Sequence, residues 1–264
     1  MVISDVKVLP PKGLNTSIYL DLNHFSRQTA WAHGFMHAYA LWLGPVLLVA
    51  VFLAAYGVIW WRRSPRAATL MGLGGIGTLV ALGLNQLVGH AAKELRPYDT
   101  HPHALVLVAK AHDYSFPSDH AVIAGSLMTA VLLVCVLGRQ VGRPVGRHSM
   151  TAPGASGAHG LVSPGTLAPP RTLAPPPLPS ALAVTFTVLS IVFGLFLCFA
   201  RVYVGAHYPG DVVSGLLLGV CVVVVVSLFR PLAYWVTDRV EDTPLGALLR
   251  RPALGLASRE GANP

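Results

Sequence analysis

Apolar residues gather into five long stretches separated by short polar or basic segments. They run over 41–61, 67–90, 121–137, 181–199 and 212–229, and none contains Asp, Glu, Lys or Arg. Crossing hydrocarbon takes about 20 apolar residues in a helix, so each stretch predicts a transmembrane helix. The third is the shortest and is expected to extend back to Ser118. Before the first stretch, Trp31, Phe35 and Tyr39 recur every four residues and share one helical face. Residues 23–40 therefore predict an interfacial helix lying on the membrane. The fold class expected is all-α, an integral membrane bundle of about five spans plus this N-terminal helix.

The segments between the spans divide the chain further. Residues 1–40 form the N-terminal segment, 41–137 and 181–235 the two parts of the membrane domain, and 236–264 the C-terminal tail, expected to be loosely ordered after about Glu241. Residues 138–180 hold nine of the 21 prolines, seven glycines and no acidic residue. Such a stretch cannot build a packed core and predicts a Pro-rich cytoplasmic linker, read as a spacer. The first 28 residues lack the apolar core of a signal peptide, so no cleavable leader is expected.

Composition sharpens this picture. The chain of 264 residues is 53% hydrophobic and 11% charged, against about 25% charged in soluble domains. That excludes a disordered chain and argues against a soluble domain. The net charge of +8 does not signal nucleic acid, because the arginines cluster between apolar runs as in cytoplasmic loops. Arg62, Arg63 and Arg66, then Arg139, Arg143 and Arg147, then Arg230, Arg239, Arg250 and Arg251 fall on one side if there are five spans. That side is expected to be cytoplasmic. The N-terminus and segments 91–117 and 200–211 then share the outer side. Cys135, Cys198 and Cys221 lie in apolar runs without CxxC spacing, predicting reduced thiols and neither a disulfide framework nor a zinc site.

The outer segments hold the chemistry. Lys93, Arg96 and Arg201 stand at span ends, where a cation is costly unless solvated or paired with an anion. Arg matches phosphate oxygens with a planar fork. Pro117 and Ser118 begin the third span, whose N-terminus offers free N–H groups to an anion. Pro209 suits the first turn of the fifth span, which lets Asp211 reach back to His207. A carboxylate on one ring nitrogen leaves the other free to attack. His120 follows Ser118 and is placed to protonate a leaving oxygen. A nucleophilic His with a second His as acid needs no metal. His33 and His37 are four residues apart but no Glu follows His33, so they are not a metalloprotease signature. His101, His103 and His112 are expected to be solvent-exposed, and Asn85 and Gln86 to make interhelical hydrogen bonds.

Arg96-Pro97, then Pro117-Ser118-Asp119-His120, then Arg201, His207 and Asp211 with five and three residues between them, resemble the three signature motifs of the type 2 phosphatidic acid phosphatase superfamily. The resemblance implies a helical membrane core of the acid phosphatase/vanadium haloperoxidase type and hydrolysis through a phosphohistidine, without a metal or other cofactor. It implies His207 as nucleophile, Asp211 as its orienter, His120 as acid, and Arg96, Arg201 and Ser118 as phosphate ligands. The family Lys falls at Gly89 here; Lys93, one helical turn on, is assigned to the same phosphate. Ser115 to Ala121 with Ala200 to Asp211 is similar to the bacitracin-resistance type of undecaprenyl-diphosphate phosphatase. That similarity implies a polyprenyl diphosphate on the outer leaflet of the plasma membrane, with Asp119 managing the extra charge or a proton of the diphosphate. Phosphatidic acid, phosphatidylglycerol phosphate and polyprenyl-phosphoryl sugar phosphates are the alternative substrates. A catalytically inactive lipid-binding or transport protein is the alternative of another class.

Overall fold

Inside hydrocarbon a backbone finds hydrogen-bond partners only within its own segment, so long apolar runs become helices. The computed structural model describes residues 13–141, 178–241 and 243. The helices are α1 (Leu14–Gln28), α2 (His33–Ala38), α3 (Gly44–Trp61), α4 (Pro65–Ala92), α5 (Pro97–Thr100), α6 (Asp119–Val141), α7 (Ser180–Tyr203), α8 (Pro209–Ser227) and α9 (Arg230–Glu241). Among the described residues, five helical segments are long and apolar enough to cross a membrane, built on α3, α4, α6, α7 and α8. The chain is a multi-pass membrane protein.

Helix α6 is the hub and packs against α3, α4, α7 and α8. Its contact with α8 is close because Gly125 has no side chain: a Cβ there would lie 2.2 Å from the Leu216 carbonyl oxygen. With little hydrophobic force between helices in lipid, such close approach lets dispersion hold the bundle together.

The expected helix over 23–40 is not one helix. It breaks at Thr29, whose side chain and carbonyl both meet the Tyr203 hydroxyl, at 2.6 and 3.2 Å. From Ala30 a 3₁₀ turn, α2 and a π-helical turn at Tyr39–Leu43 run into α3. The changed winding splits the aromatic stripe: Trp31 is 87% exposed, while Tyr39 is 3% exposed against Phe196. Helix α1 is stapled to the loops instead. Asn23 exchanges two hydrogen bonds with the Leu105 backbone, at 2.7 and 3.0 Å, and Asn15 accepts the Gly210 N–H at 2.8 Å.

At the opposite end α9 docks on α4 through Arg66–Asp238 and Thr69–Thr237, both 2.8 Å. The boundary expected after residue 235 therefore falls inside a helix, because these polar pairs carry the fold past the last span. Residues 1–12, 142–177, 242 and 244–264 lie outside the described residues, and with them most of the Pro-rich linker and the tail beyond Glu241.

Candidate active site

Three chain reversals at one end of the bundle bring the polar segments together. Helix α4 stops at Lys93, which takes a left-handed backbone (φ 52°) and donates its N–H to Gly89 O at 2.9 Å. The chain then runs through Arg96 into Pro97, which opens α5. The following loop returns under α4, where Ser115 N–H bonds Glu94 O at 2.9 Å. The Tyr98 hydroxyl closes this loop on the Ala111 backbone, at 3.0 and 2.9 Å. After α7, Gly205 turns with φ 80°, and a Cβ there would sit 2.5 Å from the Leu105 carbonyl oxygen, so only glycine fits. His207 follows, and α8 begins at Pro209 with the Asp211 carboxylate accepting the Tyr208 N–H at 2.9 Å.

His207 is the centre of this cluster and is 2% exposed. Its Nε2 stands 3.3 Å from Arg96 Nη1 and 3.2 Å from Arg201 Nη2. Its Nδ1 stands 2.8 Å from the Ser115 carbonyl oxygen. A guanidinium only donates and a carbonyl only accepts, so the partners dictate the tautomer: Nδ1 carries the proton and Nε2 a lone pair. Burial pushes the imidazole pKa down to about 4; the Asp211 carboxylate opposes this, and both guanidiniums reinforce it. Burial thus favours the neutral ring, whose unprotonated Nε2 faces two cations.

The arginines are themselves held. Arg96 Nε donates to Asp113 Oδ1 at 2.9 Å and Nη1 to the Ala206 carbonyl at 3.0 Å. Arg201 Nη1 donates to the Ala40 carbonyl at 3.3 Å. Among the described residues Arg201 Nε is buried without a partner. Burial raises the Asp113 pKa, but its hydrogen bond to Arg96 and the guanidinium charge outweigh that and hold the carboxyl below its ordinary value.

A cavity of about 210 Å³ opens on this cluster, lined by Arg96, Asp119, His120, Arg201 and His207 with Leu41, Tyr98 and Pro117 among its walls. It is smaller than the roughly 300–1,000 Å³ of drug-sized pockets, so it suits a phosphoryl headgroup and not a lipid tail. Five of the eight residues nominated from sequence thus share one cavity. Asp211 stands behind His207, its Oδ2 3.5 Å from Nδ1. Ser118 is buried off the cavity wall; its N–H bonds the Asp211 carbonyl at 3.1 Å, and its hydroxyl has no partner among the described residues. Lys93 is exposed and away from the lining, because its left-handed backbone ends α4 there.

Asn85 and Gln86 do bond between helices, both to Asp119 Oδ1, at 2.7 and 3.0 Å. His103 and His112 are exposed as expected. His101 is not: it is half-buried and bonds the Tyr208 hydroxyl at 3.1 Å. Sequence reading missed Asp113 and Ser115 as partners of the site. Among the described residues no group of three or more His, Cys, Asp or Glu side chains is arranged to hold a metal ion.

Comparison with known proteins agrees with this geometry at the level of the family. The model of the PAP2 superfamily matches residues 69–235, well over half of the chain and all three polar segments. No curated protein and no solved structure matches the chain.

Proposed function

The chain belongs to the PAP2 superfamily, and from that premise we propose that this membrane-embedded phosphatase removes the terminal phosphate of a polyprenyl diphosphate of the undecaprenyl or decaprenyl type, in recycling of a cell-wall lipid carrier. The observation that carries the reading is the bare Nε2 of a buried, neutral His207, faced by two guanidiniums in a cavity that His120 also lines.

The chemistry follows from these groups. A phosphoryl group entering the cavity offers Arg96 and Arg201 charged acceptors stronger than a neutral imidazole. Their N–H groups turn to its oxygens, and the Nε2 lone pair is released for attack. Nε2 forms a bond to the terminal phosphorus as the bridging P–O bond breaks. The electron pair leaves on the bridging oxygen, which takes a proton from His120, and polyprenyl monophosphate departs. Water then attacks the phosphohistidine and gives a proton to His120. The N–P bond breaks, its pair returns to Nε2, and phosphate leaves. Both arginines stabilise the charge spread over the equatorial oxygens. Asp119, fixed by Asn85 and Gln86, faces the second phosphate of the substrate. The motif similarity to bacitracin-resistance phosphatases supports the diphosphate over a monophosphate. The basic turns at the α9 end support a cytoplasmic placement of that end, with the cavity open to the extracytoplasmic side of the plasma membrane.

Phosphate release from polyprenyl diphosphate and glycerolipid phosphates in mixed micelles tests this. Wild type is expected to turn over the diphosphate fastest, and His207→Ala to lose at least about a thousandfold in kcat. Equal inactivity of both proteins on every lipid would end the enzyme reading; faster turnover of phosphatidic acid would replace the substrate.

A further inference from the structure

The helical segment that enters the first span carries two backbone carbonyls that its own sequence deprives of α-helical donors. In an α-helix the carbonyl of one residue takes the N–H of the fourth residue after it. At the π turn Tyr39–Leu43 the Gly44 N–H reaches one residue further back, to Tyr39 O, and so is not spent on Ala40. The next residue, Pro45, is the second of α3 and has no N–H, so Leu41 lacks its α-helical donor. The turn is held in this form from α7: the Tyr39 hydroxyl donates to the Phe193 carbonyl at 3.1 Å, and its ring meets Phe196 edge-on at 4.6 Å. A buried carbonyl short of a donor is costly, and both find one at the cavity. Ala40 is fully buried, and its carbonyl accepts Arg201 Nη1 at 3.3 Å while Arg201 Nη2 faces His207. The Leu41 backbone is a hydrogen-bond partner of the His120 ring, and both residues line the cavity. A carbonyl only accepts, so the ring gives it one N–H and keeps its other nitrogen for the substrate.

We infer that Pro45 is a positioning residue: by withholding an N–H after the π turn it reserves the Leu41 and Ala40 carbonyls for His120 and Arg201, and so fixes the orientation of the acid and of one phosphate-binding cation. Residues 39–45 lie ahead of the 69–235 that the family model matches, so none of the three polar segments supplies this support. Helix interruptions of this kind gather at functional sites because they free backbone groups for other partners. Pro45→Ala returns an N–H four residues after Leu41, already carried on a helical backbone. That donor takes the Leu41 carbonyl, and the His120 ring loses the partner that decides which nitrogen meets the leaving oxygen.

The inference rests on the phosphatase reading for the role of His120 as acid, but its structural half is tested without substrate. Leu-Trp occurs once in the sequence, at Leu41-Trp42. In the full-length protein in detergent micelles, ¹³C-leucine with ¹⁵N-tryptophan therefore leaves one coupled pair, which singles out the Leu41 carbonyl by NMR. His120→Leu removes its donor and is expected to move that carbonyl upfield; a resonance that stays in place overturns the inference. Wild type, Pro45→Ala, Pro45→Gly and Pro65→Ala are then compared for Tm and for phosphate release from polyprenyl diphosphate. Pro65→Ala adds an N–H at the exposed start of α4, at the other end of the bundle, and is expected to match wild type. Both Pro45 variants are expected to keep Tm at or above the wild-type value, since they remove a helix interruption. They should lower kcat about ten- to a hundredfold with KM within about threefold, as for an acid held out of line. Wild-type kcat in both overturns the inference, and so does a loss confined to one of them, which would belong to the side chain and not to the N–H. Should neither fold, the carbonyl shift in His120→Leu decides. A Leu41 carbonyl that reports His120 in a protein that releases no phosphate from any lipid sinks the phosphatase reading alone.

Discussion

The two ends of the bundle each carry an Arg–Asp pair, and the pairs are built differently. At the α9 end, Arg66 closes both sides of its fork on one carboxylate, Nη2 to Asp238 Oδ2 at 2.8 Å and Nε to Oδ1 at 3.3 Å. The two side chains are 43% and 46% exposed. At the other end, Arg96 gives only Nε to Asp113, at 2.9 Å, with the arginine 8% and the aspartate 60% exposed. Its Nη1 is left for the Ala206 carbonyl and His207. The same residue types therefore make a staple in one place and an aimed cation in the other. A buried guanidinium whose carboxylate sits at the rim, with a second guanidinium beside it, keeps N–H donors turned to the cavity instead of closed on a carboxylate. On the proposed mechanism an incoming phosphoryl group gives these donors a charged acceptor, so donors left off a carboxylate become affinity for an anion.

The largest expected effect separates the pairs by planarity. Arg96→Lys keeps the charge but cannot reach Asp113, Ala206 and the cavity together from one point donor. On the proposed mechanism phosphate release falls by about a hundredfold or more in kcat/KM, the scale of losing one charge-stabilising donor. A lysine variant within threefold of wild type would break the contrast, because charge alone would then suffice.

Acidity gives the next largest effect. On the proposed mechanism attack needs neutral His207, whose pKa is lowered to about 4. Its lone pair is present above that value and lost as pH falls through it. The acid limb of kcat/KM should therefore lie near pH 4, and activity at pH 5 should stay close to its neutral value. An ordinary histidine near 6.5 would lose about thirtyfold by pH 5. The Asp113 carboxyl, held below its ordinary value, stays charged over the same window. Its pairing with Arg96 is present above the usual carboxylate range and lost only as pH falls through the lowered value. A pH–rate profile with its acid limb near 6.5 would mean that His207 is hydrated, and that the guanidiniums at the Arg96 end do not act on it as the contrast requires.

What could be read from the sequence divides along the same physical line. The spans were legible because hydrocarbon demands long uncharged runs, and the convergence of Arg96, Arg201, His120, His207 and Asp211 because all of them stand at span ends. Ser115 was not legible as the holder of His207, since any residue has a carbonyl and only the fold brings this one to Nδ1. Asp113 lies 17 residues from Arg96 across an irregular loop, where no periodicity links the two. Lys93 was placed by assuming that α4 continues one more turn; its left-handed backbone ends the helix, and the residue is exposed and not among those lining the cavity. The reading of 23–40 as one helix assumed a uniform winding, which the 3₁₀ and π turns on either side of α2 do not keep. Helix α9 escaped because it carries charges and polar residues that docking on α4 satisfies.

The smallest expected effect sharpens the comparison from its quiet side. Arg66 and Asp238 are nearly half exposed, so water screens their attraction and its removal uncovers no buried charge. Asp238→Asn and Arg66→Gln, alone and together, should leave phosphate release within about twofold. A thermal or denaturant double-mutant cycle should give a coupling of about 1 kcal/mol or less. The contact still orients α9, because Thr69 and Thr237 bond beside it at 2.8 Å and share the docking. A coupling several times larger would show that the staple is as desolvated as Arg96. The contrast between the two ends would then have to rest on what the guanidinium faces, and no longer on how deeply it is buried.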